Sequence, residues 1–134
     1  MTDLDALQDW LDRYIAAWRS NDADTIGALF TDDATYRYNP FDDPLHGRDA
    51  IVRSWLENPD PPDSWAMRCE PLAMNGDLAV GQCLTVYAPT DQRPETAYSN
   101  IFVIRLTDDG RARDFTEWWM KRRDAAQSEQ PPAA

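Results

Sequence analysis

Apolar residues recur every three to four positions from Leu4 through Leu7, Leu11, Tyr14 and Ile15 to Trp18, while Asp5, Asp9, Asp12 and Arg13 fall between them. That period predicts an amphipathic helix with one buried stripe. Ser20 and Asn21 form helix poorly and should stop it, after which Asn21 or Asp22 can cap a shorter helix carrying Ile26, Leu29 and Phe30. The β-branched and aromatic residues from Ala34 to Asn39 predict a strand that Pro40 ends, and Pro40 to His46 reads as a loop. Gly47 then opens a third helix that buries Ile51, Val52, Trp55 and Leu56 and stops at the Asn58–Pro62 run.

Beyond this point the pattern changes to strands. They are expected at Trp65–Met74, Leu78–Tyr87, Thr96–Leu106 and Arg111–Lys121, joined by turn-forming stretches at Asn75-Gly76-Asp77, Pro89–Pro94 and Asp108-Asp109-Gly110. Pro71 lacks an N–H and belongs at an edge or a bulge. Three helices, one early strand and a four-strand meander make an α+β domain over residues 1–123, and the polar residues 124–134 are expected to fray as a tail. The Ile101–Ile104 segment is apolar on both faces, and Trp118 and Trp119, adjacent on a strand, must point to opposite sides. One sheet face therefore needs a cover of its own, most simply a second copy of the chain, which predicts a homodimer through the convex sheet.

Composition narrows the function classes. Acids outnumber bases 24 to 13, a formal charge of −11, which argues against nucleic acid and anionic membrane surfaces as partners. No apolar run reaches membrane-spanning length and the first residues are acidic, so a cytoplasmic location is expected. A single histidine, His46, argues against a histidine-based metal site, and no glycine-rich phosphate loop is present, so no cofactor is expected. Cys69 and Cys83 are too few for a disulfide scaffold. A three-residue loop at Asn75-Gly76-Asp77 would set them opposite each other, yet the cytoplasmic expectation favours free thiols.

The order of elements, with the stretches "RYIAAWRSNDADTIGALFTDDATYRYNP", "HGRDAI" and "DDGRARDFTEWWM", resembles the nuclear transport factor 2-like superfamily, within it the SnoaL-like and ketosteroid isomerase-like branch, from about Leu7 to Met120. The resemblance implies a cone-shaped half-barrel, three N-terminal helices on a curved, mainly antiparallel sheet, with a deep pocket and dimerisation through the convex face. Members include isomerases, dehydratases, epoxide hydrolases, polyketide cyclases and non-catalytic binding modules, so the fold alone assigns no activity. Tyr14 falls where ketosteroid isomerases carry an oxyanion-stabilising tyrosine, whereas Tyr38 and Phe102 occupy the positions of their two acids. Tyr36 matches the water-orienting tyrosine of limonene epoxide hydrolases, but Tyr38 replaces their asparagine, and Gly81-Gln82-Cys83-Leu84-Thr85 has no counterpart of their arginine and aspartate. Glu117 lies at the last-strand position that carries an acid–base aspartate in SnoaL-like cyclases and those hydrolases.

Strand alternation puts Arg113, Phe115, Glu117 and Trp119 on one face, and the resemblance makes it the pocket face. Among aromatic rings Glu117 would be desolvated, raising its pKa towards values useful in proton transfer. Alternatively it is ion-paired, with Arg113 on the same face or with Arg37 if the face assignment slips. Tyr14 and Tyr38 are the expected hydroxyl donors and Asn100 a polar anchor, with Trp18, Tyr36, Trp55, Phe102, Phe115 and Trp119 completing the ligand-binding set. Each tyrosine singly reads as packing; together, near one acid, they point to a small apolar ligand. His46 is either a proton shuttle at the rim or, more in keeping with a lone loop histidine, a cap on a backbone carbonyl.

Overall fold

In a computed structural model of the protein, which describes residues 3–57 and 59–123, Asp3 accepts a hydrogen bond from the Ala6 N–H and starts helix α1 (Leu4–Ser20). The helix ends at Asn21, whose left-handed backbone (φ 52°) lets its N–H reach the Ala17 carbonyl. Asp22 then caps α2 (Ala23–Gly27) by accepting from the Thr25 N–H and hydroxyl. Phe30 does not continue this short helix. It opens strand β1 (Phe30–Arg37), because Leu29 and Phe30 are drawn into the core between α1 and the sheet, where the Trp10 indole N–H donates to the Leu29 carbonyl at 3.0 Å.

Pro40 to His46 is also not loop throughout. Leu45–His46 forms the two-residue strand β2, antiparallel to β1, with His46 opposite Thr35. Gly47 has φ 89° and donates its N–H to the Ala34 carbonyl, a turn that L-residues adopt only with strain, and α3 (Arg48–Glu57) follows. Strands β3 (Trp65–Asn75), β4 (Leu78–Tyr87), β5 (Thr96–Leu106) and β6 (Ala112–Lys121) follow within a residue or so of the expected bounds. The sheet order is β2-β1-β6-β5-β4-β3, antiparallel except where β1 runs parallel to β6. The architecture is thus α+β, three helices packed on a curved, unclosed six-stranded sheet. Helix α1 approaches β4 so closely that a Cβ on Gly81 would lie 3.2 Å from the Leu11 methyls.

Two irregularities decide what faces what. The β3–β4 turn is two residues long, Asn75 pairing with Leu78, but the register slips by one between Pro71 and Ala73. That bulge, at the edge strand where proline is tolerated, sets Cys69 opposite Cys83 by a different route from the three-residue loop. The two are joined as a disulfide with a Cα–Cα distance of 4.1 Å, so the expectation of free thiols is overturned. In β6 a second slip separates Ala112 from Asp114, leaving both Ala112 and Phe115 fully buried. Strict alternation fails across it. Arg113 therefore leaves the face of Phe115 and Glu117, lies exposed and pairs with Asp77 in the β3–β4 turn. The expected tail, residues 124–134, lies outside the described residues.

Candidate active site

Inward positions of β5 and β6 build the base of the site. Phe102 stands opposite Glu117 and Asn100 opposite Trp119, while Trp118, opposite Ile101, takes the other face. Phe102 and Phe115 are fully buried with ring centroids 4.8 Å apart, and the Tyr14 ring packs on both at 5.0 and 6.0 Å. Above this floor lies a cavity of about 490 Å³. Tyr14 and Trp18 line it from α1, Tyr36 and Tyr38 from β1 and its exit, and Trp55 from α3. Asn100, Glu117 and Trp119 reach it from the sheet. Phe102 and Phe115, placed in the ligand-binding set, lie beneath the lining rather than in it, because Tyr14 and Tyr36 cover their rings.

Glu117 is half-buried, and its Oε2 accepts a 2.6 Å hydrogen bond from the Asn100 amide nitrogen. The Asn100 carbonyl oxygen in turn accepts from the Thr85 hydroxyl at 2.9 Å. This chain fixes which end of the Asn100 amide faces the carboxylate. Desolvation raises the Glu117 pKa from 4.5 to about 7, opposed only by the Asn100 hydrogen bond. Neither expected cation reaches it. Arg113 is held by Asp77, and Arg37 lies 4.0 Å from Asp114, which also accepts from the Thr35 hydroxyl. The ion-pair reading of Glu117 is thereby corrected.

The tyrosines are held as phenols. Burial pushes Tyr14 and Tyr36 well above the usual phenol range, and the Glu117 charge adds to it. Tyr36 stacks on Phe115 at 4.4 Å and is fully buried. Tyr38, beyond the end of β1, is partly exposed and its hydroxyl lies 2.9 Å from Ser54 Oγ; burial raises it too. A carboxyl titrating near neutrality, beside hydroxyls that remain protonated, can accept and return a proton while a neighbouring oxygen is held by hydrogen bonds.

Other lining residues escaped the sequence. Thr85, Tyr87 and Tyr98 follow the same period-two alternation as Asn100 and were legible from it once one inward residue was known. Met67 lines the cavity from β3, and Ser54 and Glu57 from α3. Asp60, in the proline-flanked stretch after α3, carries no periodic signal, yet it lines the cavity and burial raises its pKa against the opposing influence of the Trp18 indole and the Arg93 charge. His46 is exposed on β2 and is not in the lining, and Asp42 and Asp43 are exposed. Among the described residues no group of three or more histidine, cysteine or acidic side chains converges to hold a metal ion. No helix among them is long and apolar enough to cross a membrane.

Comparison with known proteins agrees with this architecture. The family model for the SnoaL-like domain matches residues 11–115, most of the described chain, although it stops two residues short of Glu117. No curated protein matches the chain. With the helices, the curved sheet and the family match in agreement, the chain belongs to the SnoaL-like domain family of the nuclear transport factor 2-like superfamily.

Proposed function

We propose that the cavity binds a small, largely apolar molecule carrying a carbonyl or hydroxyl oxygen, and that Glu117 transfers a proton on it without a cofactor. The observation that carries this reading is the Glu117 carboxyl, on the cavity wall with one hydrogen bond and no cation among the described residues and a pKa raised to about 7. Near neutral pH such a group is present as base and as acid, which suits isomerisation, cyclisation, dehydration or hydrolysis. In the simplest step the carboxylate removes a proton from carbon beside a carbonyl. The electron pair moves onto the oxygen, where the Tyr14 and Tyr38 hydroxyls donate, and the same proton returns at another position. Asn100 keeps the carboxylate oriented.

The working unit in this reading is a homodimer through the convex sheet. Trp118 and Met120 there are 45% and 74% exposed, and Leu84 on β4 is exposed beside Met120. A non-catalytic binding module is the competing reading, favoured by Tyr38 and Phe102 standing where isomerases of the superfamily have acids. Native mass spectrometry of freshly purified protein should reveal a co-purifying small molecule to be offered as substrate. With it, Glu117→Gln should keep affinity within about tenfold while turnover falls ~10²–10⁴-fold. Equal turnover in both proteins would overturn the role of Glu117, and binding without turnover by the wild type leaves the binding module.

A further inference from the structure

Edge-to-face ring contacts connect Trp18, Tyr87, Tyr98 and Trp119 in a continuous band along the cavity wall, with centroid distances of 6.4, 5.8 and 5.8 Å. Carboxyl groups stand at its two ends. Asp60 lies by the Trp18 indole, and Glu117 shares its strand face with Trp119. The Tyr87 phenol between them feels both charges. Glu57 adds a third carboxyl, and no lysine, arginine or histidine is among the described residues that line the cavity. None of the three acids forms an ion pair among the described residues.

We infer that the molecule taken by this cavity is a cation, an apolar body bearing a protonated amine or quaternary ammonium seated against the ring band beside Asp60. Aromatic faces attract cations through their quadrupoles, and they do so more strongly away from water. Glu57 is exposed, but burial disfavours the charge on Asp60 and on Glu117, neither is ion-paired among the described residues, and a bound ammonium supplies a partner. Anionic ligands meet repulsion from all three acids. The wall already attracts a cation of the protein's own: the Arg93 guanidinium, from the β4–β5 connection outside the lining, lies 5.7 Å over the Tyr87 ring and within the field of Asp60.

This inference rests on the cavity being the binding site, and three probes of one skeleton separate the two ideas. Phenethylamine, 2-phenylethanol and phenylacetate differ mainly in charge, and titration calorimetry with amide and indole NMR shifts locates and ranks their binding. The amine should bind about tenfold tighter than the alcohol, with phenylacetate weakest. Asp60→Asn should remove most of that advantage, and Arg93→Ala, by clearing a competing cation, should strengthen amine binding alone. Amine and alcohol binding equally at the cavity would overturn the cation inference and leave the cavity as a binding site. If none of the three shifts the lining residues at millimolar concentration, both ideas fail.

Discussion

Glu117 is costly to the fold when ionised, and that cost has a definite pH signature. Its folded pKa of about 7 exceeds the ordinary 4.5, so between these values the folded state holds more protons than the unfolded chain. Stability should therefore fall as pH rises from about 4.5 to about 7 and level off above, by at most about 3 kcal/mol for this group. Glu117→Gln, which retains an acceptor for Asn100, should flatten that slope and stabilise the protein above pH 7, measurable by chemical denaturation across the range. Asn100→Leu removes the one contact that lowers the Glu117 pKa and should drive it higher still. Arg113→Ala should leave it unchanged, because Arg113 is occupied by Asp77. Glu117 was legible in the sequence as an inward acid, but its freedom from Arg113 was not. Alternation assumes an unbroken strand, and the bulge at Arg113 lies between two residues that both need burial, Ala112 and Phe115.

At the scale of elements, periodicity located the long helix and the four-strand meander because each buries one face over many residues. It failed where an element is too short to show a period, as in β2, or where tertiary packing extends a strand, as with Phe30 in β1. The β3–β4 hairpin combines both lessons: turn chemistry located the reversal, while the bulge beside Pro71 set the register. Its consequence is the Cys69–Cys83 disulfide, the kind of crosslink that persists in oxidising surroundings. Denatured, non-reduced protein should show no titratable thiol, and two thiols per chain would contradict the pairing. With a sequence separation of 14 the crosslink should contribute about 3 kcal/mol, read as the loss of stability on reduction or in the Cys69→Ala, Cys83→Ala double variant.

Taken whole, the molecule presents a concave side closed by helices and a convex side with Trp118 and Met120 in solvent. A convex-face homodimer is expected at micromolar concentration by light scattering coupled to size exclusion, and Trp118→Asp should give monomer or insoluble protein because it places a charge in an apolar interface. A monomeric wild type would remove that basis. The concave side carries the functional proposal, since α1, α3 and the sheet together withdraw Glu117 from water without providing it a cation. The most direct measurement is the titration of the Glu117 carboxyl carbon by NMR in the wild-type protein, with Glu117→Gln fixing the assignment. A midpoint near 7 that Arg113→Ala does not move is the expected result. A midpoint at or below 4.5, rising when Arg113 is removed, would contradict the acid/base assignment and restore the salt bridge.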